Sequence, residues 1–452
     1  MKVCKFGGSS VADAAQVKKV VDIVLSDHQR KMVVVSAPGK RHSGDVKVTD
    51  LLIEIARKGL AGGNADAEIG EAVSRYAEIA GALGLDPSIA KRIRENIERR
   101  FAGDKSDPGV YTDTLKAAGE DECAVLVAEA FSARGVKARY ASPCDTGMTL
   151  SGPSGNAVLE PSSYARLARA FSDFEGIVVY PGFFGCREDG TIATFPRGGS
   201  DITGSILAAA LRADVYENFT DVDSVYPVDP RIVPEVCEGI STMTYREMRE
   251  LSYAGFGVFS DEAVYPAVKA RVPINIRNTN HPSAPGTMIV QSRRVVPGRP
   301  VGIACDSGFC NFIIDKYLMN REIGFGRRLF QILEEEGIPY EHSPSGIDSI
   351  SVIVRERALD RQTEKRVTAR IKRELHPDEV TVTHGYAMIM VVGEGMIYSP
   401  GMLAKAAGAL ASHGINISMV NQGASEISFM FCVKEESKED AIRALYGAFF
   451  PH

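Results

Sequence analysis

The chain has 452 residues, of which 44% are hydrophobic and 24% charged, and its net charge is −6. This length exceeds one compact core and predicts two or three domains, while the mixed charge argues against nucleic acid as the main partner. The eight cysteines are scattered without a CxxC pair, so we expect buried or free thiols, not a disulfide framework or a metal site. Neither a signal segment nor an apolar run of membrane length is found, so we expect a cytoplasmic protein that binds no membrane.

The first strand of the chain leads directly into a glycine pair. Residues 3–6 are apolar apart from Lys5, and Gly7 and Gly8 follow before a helix at 13–26. A lysine beside two glycines at a strand end is suited to meet a phosphate as a point charge. The alternative is a solvated lysine on an edge strand.

A second strand and a long helical region come next. Residues 31–36 are rich in valine, as buried parallel strands are, and a helix is predicted at 50–61 with Thr49 as its N-cap. The region 51–101 has a helical pattern broken by glycines, which predicts a helical excursion or lid without chemistry of its own.

The middle of the chain alternates helices with strands. Glu120 follows a glycine and is expected near the start of a helix, where complementing the helix dipole is favoured over binding on composition alone. Strands are predicted at 136–141 and 177–183. This alternation predicts a largely parallel sheet with helices on both faces.

The stretch RGGSD at 197–201 organises the next unit. An apolar helix is predicted at 202–211, followed by a strand at 214–219, an acidic loop at 220–226 and a turn-rich segment at 227–231. Bare glycine N–H groups before a helix can bind an anion, and Ser200 and Asp201 are good N-cap types. Such loops meet ligands at the carboxyl ends of parallel strands, although a cap followed by an ordinary surface loop is the alternative.

The last third of the chain contains an internal repeat. It begins after a basic, proline-containing linker at 293–300. Seven residues recur 77 positions later without a gap: Gly324, Leu333, Gly337, Ile338, Gly346, Ile350 and Ser351 match Gly401, Leu410, Gly414, Ile415, Gly423, Ile427 and Ser428. Each copy predicts a small α+β unit, and two copies favour a paired regulatory or dimerisation module over a solenoid.

Together these motifs closely resemble the aspartate kinase family, in that family's order. They are KFGGSSVAD at the N-terminus, VSAPGK followed by VTDLL, GE at 119–120, FPRGGSD at 195–201 and FTDVDSVYPVDPR at 219–231. The repeat resembles the paired ACT domains of the same family. Without a homoserine dehydrogenase extension, the chain resembles the monofunctional members.

The resemblance implies an α/β fold: a three-layer amino-acid-kinase sandwich of the carbamate-kinase type, followed by two ferredoxin-like ACT domains. The implied bounds are 1–296 for the kinase domain and 309–384 for the first ACT domain. The second ACT domain combines 300–308 with 385–452, so that the first is inserted in the second. A homodimer, or a dimer of dimers, through the ACT domains is implied.

The implied activity is transfer of the γ-phosphoryl group of ATP, with Mg²⁺, to the β-carboxylate of L-aspartate. This is the first step toward lysine, threonine and methionine, and lysine or threonine is implied as the feedback effector. By resemblance, Lys5 and Asp201 are catalytic, and aspartate is held by Ser36, Thr49, Glu120, Arg197 and Ser200. ATP is held by Lys5, Phe6, Gly7, Gly8, Thr220, Asp221, Tyr226, Asp229 and Arg231. The effector residues are Ser343, Asp348, Ser349, Asn416, Ile417 and Asn421, and no protein residue is assigned as a metal ligand.

Two departures from the family pattern stand out. Many members carry a second ATP-site lysine, but residues 253–259 contain none, so a backbone N–H or Lys269 is expected to substitute. The first repeat also departs from the usual effector-site wording at 342–349. Two alternatives therefore stay open: another kinase of this fold, acting on glutamate, acetylglutamate or a nucleotide, and an amino-acid-binding regulator with weak or no catalysis.

Overall fold

The computed structural model describes residues 1–236, 238–256 and 261–450 and divides into two compact units. The first contains the described residues of Met1–Val225, Gly239–Met248 and Val258–Arg293, and the second contains those of Tyr226–Glu238, Arg249–Gly257 and Arg294–His452. Two short segments of the predicted kinase region thus belong to the C-terminal unit. The domain boundaries given above stay a prediction.

The elements of the first 293 residues alternate between strand and helix. The strands are β1 Lys2–Phe6, β2 Arg30–Val35, β3 Ala138–Tyr140, β4 Leu150–Ser151, β5 Val158–Leu159, β6 Ile177–Pro181, β7 Phe184–Cys186, β8 Ile192–Thr194, β9 Val215–Thr220, β10 Thr242–Thr244, β11 Ile274–Asn278 and β12 Thr287–Val290. The helices are α1 Ala14–Leu25, α2 Val48–Leu60, α3 Asp66–Ala82, α4 Ser88–Phe101, α5 Pro108–Ala133, α6 Pro143–Thr146, α7 Ser163–Ala170, α8 Gly199–Ala210, α9 Tyr245–Tyr253 and α10 Asp261–Ala270.

Eight strands form one sheet in the order β10-β12-β11-β9-β1-β2-β6-β3. Only β11 and β12 pair antiparallel among the described strands of this sheet, so the prediction of a largely parallel sheet is confirmed. Strand β1 is central, and its register sets Lys5 beside Asn218 of β9 and Val34 of β2.

Helices cover both faces of this sheet, as the three-layer prediction requires. Phe6, Val33 and Val35 pack into the core formed by α1 to α5, whereas α8 packs on β1 and β2 from the other side. Because side chains alternate along a strand, Lys5 faces the α8 layer. The central strand therefore delivers one charged side chain to the base of α8.

Two helix starts differ from the predictions in their N-caps. Helix α2 begins at Val48 with Lys47 at its N-cap, so Thr49 lies inside the first turn and does not cap it. Helix α8 has Gly198 at its N-cap, with φ of 86°, so Ser200 and Asp201 do not cap it either. A glycine supplies that left-handed backbone without steric penalty, which is why it outcompetes the polar caps here.

Glu120 lies in the middle of α5 and not near a helix start. The true N-terminus is capped by Asp107, whose side chain accepts hydrogen bonds from the N–H groups of Gly109 and Val110. Gly119 lies inside the helix where α5 passes close to Ala37, and a side chain does not fit there because an added Cβ would lie 2.7 Å from the alanine Cβ. The dipole interpretation of Glu120 is therefore wrong.

The second unit has one antiparallel sheet in the order β14-β15-β13-β16-β18-β17. Its strands are β13 Gly302–Asp315, β14 Tyr340–His342, β15 Ser349–Arg355, β16 Glu379–Val392, β17 Met419–Gln422 and β18 Ser428–Lys434. Its helices are α11 Phe325–Glu335, α12 Arg361–Leu375, α13 Met402–Ser412 and α14 Lys438–Phe449.

Strands β13 and β16 are shared by the two repeats. Residues 302–307 of β13 pair with 387–392 of β16, and 309–315 pair with 379–386, across a register shift near Ser307. One core lies under α11 and α12, and another lies under α13 and α14. The second core also includes Val228 and Val233, which is why their segment clusters with this unit.

Cys144 and Cys186 form a disulfide, with their Cα atoms 5.2 Å apart. The expectation of free thiols is wrong for this pair, because packing brings together cysteines that are 42 residues apart. Cys4, Cys123, Cys305, Cys310 and Cys432 are free. Among the described helices, none is both long and apolar enough to cross a bilayer.

Candidate active site

Lys5 and Asp201 meet where β1 ends under the start of α8. The Lys5 Nζ lies 2.7 Å from the Asp201 Oδ1, and the lysine side chain is only 9% exposed. The same carboxylate oxygen accepts a hydrogen bond of 2.6 Å from the Asn218 Nδ2. Asn218 also donates to the Tyr216 hydroxyl. Two residues of β9 therefore hold Asp201 in place, and Asp201 in turn holds Lys5.

Close backbone packing shapes the glycine loop after β1. The N–H of Gly39 donates to the Gly8 carbonyl at 2.9 Å, and an added Cβ on Gly39 would lie 2.7 Å from the Gly8 carbonyl carbon. The Gly7 N–H donates to the Phe219 carbonyl. The Phe6 side chain is fully buried and stacks on Phe219, which leaves only main-chain atoms near Phe6 to face a ligand.

Arg75 holds the loop between β2 and α2 against this glycine loop. Its guanidinium donates to the carbonyls of Gly39 at 2.7 Å and Val46 at 2.9 Å, and it lies 3.1 Å from Asp45. The side chain is only 4% exposed. The sequence did not single out Arg75, since a charged residue on a helix gives no signal of what it contacts.

The start of α8 is shaped by Gly182 and Phe183. An added Cβ on Gly182 would lie 2.6 Å from the Ser200 Oγ, so only glycine fits beside this buried serine. Phe183 has a φ of 77°, and its N–H donates to the Thr203 Oγ1 at 3.0 Å. This strained turn directs residues of the β6–β7 connection toward the base of α8.

Glu120 is a buried carboxylate that lacks a full set of partners. The residue is 5% exposed, and its Oε2 makes no hydrogen bond within the described chain. Burial raises its pKa to about 8, against the opposing effects of the Ala37 N–H and Lys116. A group so placed is suited to accept a cation that arrives with a ligand.

Seven predicted residues line one cavity of about 580 Å³ with Glu120 in its wall. They are Lys5, Ser36, Thr49, Glu120, Arg197, Ser200 and Asp201. Arg197 is exposed in the turn before α8, and its guanidinium has no ion pair or hydrogen bond within the described residues. The cavity therefore offers one free guanidinium and one incompletely bonded carboxylate.

The predicted nucleotide residues divide between the two units. Thr220 ends β9, and its hydroxyl donates to the Asp221 carboxylate at 3.2 Å. Tyr226, Asp229 and Arg231 belong to the second unit, where Arg231 pairs with Asp229 at 2.7 Å. Of the stretch 253–259, which lacks the second ATP-site lysine, residues 257–259 lie outside the described residues, and Lys269 lies exposed on α10.

The predicted effector residues all lie in the second unit. The Asp348 carboxylate accepts from the Leu318 N–H, Ser343 donates to the Ser351 carbonyl, and Ser349 begins β15. Asn416 is exposed, Ile417 packs on the second core, and Asn421 contacts His342 through its amide, at 3.2 Å. Asn421 and the stretch around Ser343 thus approach one another although they come from different repeats.

Sequence reasoning missed Asn218, Gly182, Phe183 and Lys116. Asn218 carried a usable signal, because a polar amide inside an apolar strand is seldom buried without a partner. Lys116 precedes Glu120 by four residues, which puts both on one helix face. Gly182 and Phe183 owe their role to a turn that residue types alone do not specify.

This arrangement is suited to an acidic amino acid and a phosphoryl group. Arg197 can bind a carboxylate with two parallel hydrogen bonds, and Glu120 can accept from an ammonium. Lys5, held by Asp201 at a strand end beside Gly7 and Gly8, can neutralise phosphate charge. Positioning and charge neutralisation are the main demands of phosphoryl transfer.

Comparisons with known proteins agree with this chemistry. The model of the amino acid kinase family matches residues 1–278, and an ACT domain model matches 389–449. Aspartokinase 3 of Bacillus subtilis is 55% identical over 451 residues, covering 100% of this chain and 99% of the relative. Chloroplastic aspartokinase 1 of Arabidopsis thaliana is 28% identical, covering 99% of this chain and 80% of the relative.

Solved structures give the same result. The aspartate kinase of Clostridium acetobutylicum is 36% identical with a TM-score of 0.89, covering 99% of this chain and 100% of that one. E. coli aspartokinase III in complex with aspartate and ADP is 26% identical with a TM-score of 0.78, covering 100% of both chains. The fold prediction is confirmed, and the chain belongs to the amino acid kinase family and, within it, to the aspartokinases that carry ACT domains.

Proposed function

We propose that this protein transfers the γ-phosphoryl group of ATP to the β-carboxylate of L-aspartate, giving 4-phospho-L-aspartate. The observation that carries the proposal is the single cavity that joins the Lys5–Asp201 pair, the incompletely bonded Glu120 and the unpaired Arg197. These groups match the two carboxylates and one ammonium of aspartate. The E. coli relative bound to aspartate and ADP supports the same assignment.

In this mechanism each residue has one task. Glu120 accepts from the substrate ammonium, and Arg197 binds a carboxylate, while the hydroxyls of Ser36, Thr49 and Ser200 complete the amino acid site. The β-carboxylate is ionised at neutral pH, so the nucleophile needs no general base. The phosphoryl group carries negative charge on its oxygens as it is transferred, and the ammonium of Lys5 stabilises that charge.

Mg²⁺ fits this site as part of the nucleotide complex. One oxygen of Asp201 bonds to Lys5 and Asn218, which leaves Oδ2 as the candidate protein ligand. No group of three or more metal-ligating side chains occurs among the described residues, so the ATP phosphates would hold most of the coordination. The metal would supply charge neutralisation to the phosphates. The remaining nucleotide contacts proposed are Gly7, Gly8, Thr220 and Asp221, with Tyr226, Asp229 and Arg231.

The test is a coupled ADP-release assay with aspartate, with glutamate and without acceptor, combined with hydroxylamine trapping of the acyl phosphate. Aspartate-dependent ADP release with a trappable product is expected. Turnover with glutamate instead would favour another kinase of this fold. Absence of turnover with either acceptor would favour an amino-acid-binding regulator and would contradict the proposal.

We also propose feedback control by lysine or threonine through the second unit, in a cytoplasmic homodimer or dimer of dimers. The shared strands β13 and β16 and the approach of Asn421 to His342 support an effector site that depends on both repeats. The E. coli relative crystallised with lysine and aspartate supports the effector class. Inhibition assays with lysine, threonine and methionine on the full chain, with sedimentation, test this: failure of all three to inhibit a folded dimer leaves only an assembly role.

A further inference from the structure

Lys116 lies in the wall of the same cavity, on α5, and has no role in the mechanism above. It precedes Glu120 by one helical turn, so both side chains emerge on the same face of the helix. The Lys116 side chain is 15% exposed. Burying an ammonium is unfavourable unless its N–H groups and its charge find partners, so the contacts of Lys116 decide what it can offer to a ligand.

Two neighbours hold the ammonium in place. Its Nζ lies 3.1 Å from the Asp113 Oδ1 and 3.0 Å from the Thr194 Oγ1. It also lies 5.3 Å from the centre of the Phe183 ring, on the ring face. The lysine is thus fixed from three sides: by its own helix, by β8 and by the strained turn at Phe183.

Asp113 does not depend on Lys116 for its hydrogen bonds. Its two oxygens also accept from the Gly155 N–H at 2.8 Å, the Thr194 N–H at 2.9 Å and the Thr194 hydroxyl at 2.8 Å. An ammonium has three N–H donors, and Asp113 and Thr194 take two of those of Lys116. The third N–H is left for the cavity.

The structure of aspartate indicates which of its groups accepts a hydrogen bond from the third N–H of Lys116. The α-ammonium and α-carboxylate of aspartate share one carbon, so a cation one helical turn from Glu120 is close to the α-carboxylate when Glu120 holds the ammonium. The β-carboxylate must lie toward Lys5 to be phosphorylated. We propose that Lys116 is a specificity-determining residue that donates a hydrogen bond to the substrate α-carboxylate, alongside Arg197. This inference rests on the proposed function, because it takes aspartate as the ligand.

The experiment compares the full-length enzyme with Lys116→Met and Lys116→Arg. Methionine keeps the unbranched packing on Phe183 and removes only the charge and the donors. We expect Lys116→Met to raise KM for aspartate about 10- to 100-fold, as loss of a hydrogen bond to a charged group would. KM for ATP and kcat should change less than about threefold, and Lys116→Arg should recover most of the loss.

The matched control is Lys105→Met. Lys105 also stacks on aromatic rings, those of Phe101 and Tyr111, but it does not line the cavity. Its KM for aspartate should stay at the wild-type value. Thermal melting of each variant establishes that the proteins compared are folded.

A ligand probe separates direct contact from an effect through Glu120. Isoasparagine, in which the α-carboxylate is an amide, should bind wild type more weakly than aspartate does, and Lys116→Met should lose much of that preference. Equal loss of both ligands would overturn the contact. A KM defect that disappears near pH 9 would also overturn the contact. Burial and Asp121 raise the pKa of Glu120, and Lys116 lowers it. If Lys116 acted only by keeping Glu120 ionised, its loss would not matter at a pH where Glu120 is ionised anyway.

The two proposals fail in different ways. If wild-type enzyme does not turn over aspartate, the proposed function fails before any variant is measured. If wild type is active and Lys116→Met has an unchanged KM for aspartate, only the role of Lys116 is overturned.

Discussion

Strands β1 and β9 carry buried charge at two places, and the two clusters are built in opposite ways. At Cys4 the partner residue is Glu217, which accepts from the Arg30 Nε at 2.6 Å, the Arg30 Nη2 at 3.0 Å and the Arg277 Nη1 at 3.1 Å. Burial raises the pKa of Glu217, but the hydrogen bond and charge of Arg30 outweigh it and lower the pKa. That carboxylate is fully satisfied by the chain itself.

The cavity that Lys5 lines, one residue further along β1, contains a carboxylate that the chain does not fully satisfy. Glu120 is buried like Glu217, yet one of its oxygens has no partner among the described residues and burial raises its pKa to about 8. Leaving a buried polar group unpaired disfavours folding by about 1–3 kcal/mol. A closed cluster serves stability, whereas an open one serves a ligand that supplies the missing partner, and this difference can be tested.

The largest expected effect is on the closed cluster. Arg30→Met should destabilise the protein by about 3–5 kcal/mol, because the buried Glu217 loses both hydrogen bonds and the charge of Arg30 and keeps only the single bond from Arg277 among its guanidinium partners. Urea denaturation measures this, and kcat per folded molecule should be unchanged. Arg92→Met, which breaks an exposed pair with Glu129, should change stability by less than about 1 kcal/mol. Equal losses in the two variants would contradict the account of the cluster.

At the open site, removal of the Lys5 charge should affect the rate of the reaction most. Lys5→Met should lower kcat by about 10²- to 10³-fold, since the charge is needed most as the phosphoryl group moves. KM for aspartate should stay within about threefold of wild type. Steady-state kinetics measure both, with the exposed Lys91→Met as control. A Lys5→Met enzyme with near-normal kcat would exclude the role.

Glu120→Gln should raise KM for aspartate about 10- to 100-fold and KM for ATP little, because glutamine still accepts a hydrogen bond but carries no charge. Kinetics with each substrate varied in turn measure the two constants. Equal effects on both would remove Glu120 from the amino acid site.

The raised pKa of Glu120 also predicts a pH dependence of stability. In the unfolded chain this carboxyl has its ordinary pKa of 4.5, and in the folded chain burial raises the pKa to about 8, so folded protein binds one more proton between these pH values. The wild-type free energy of unfolding therefore falls relative to that of Glu120→Gln as pH rises from about 5 to 8, by about 4 kcal/mol or less. Denaturation without ligand at pH 5.5 and 8.5 checks this. If the free energies of unfolding of wild type and Glu120→Gln changed equally between the two pH values, the pKa of Glu120 would not be raised.

The two clusters also show which parts of the fold could be predicted from the sequence. The valine-rich strand at 31–36 and the Lys5 strand were predictable because buried parallel strands leave a continuous apolar pattern. Glu120 was placed in the site only through family resemblance, since its local pattern suggested a helix start. Gly119 lies inside a helix despite the low helix propensity of glycine, because Ala37 packs against it. A contact between residues so far apart in sequence cannot be predicted from the residues around Gly119.

The second unit teaches a similar lesson. The sequence predicts that Tyr226, Asp229 and Arg231 belong to the same unit as β9, yet they cluster with the C-terminal sheet. Val228 and Val233 gave the signal that was missed, because apolar residues in a turn-rich segment need a core to cover them. The gap-free repeat was readable, but sharing of β13 and β16 depends on pairing across about 80 residues.

The smallest expected effect concerns the residue that links the two clusters along β9. Asn218 follows Glu217 and faces the opposite side of the sheet, where its amide donates to Asp201 at 2.6 Å. Asn218→Ala removes one of the two partners of that oxygen but leaves the Lys5 pair. Because Asn218 orients a group without touching substrate, kcat should fall only about 3- to 10-fold, with stability lowered by about 1 kcal/mol. Asn218→Asp places a second carboxylate beside Asp201 and should be worse for kcat than alanine; the reverse ranking would mean that Asn218 serves packing alone.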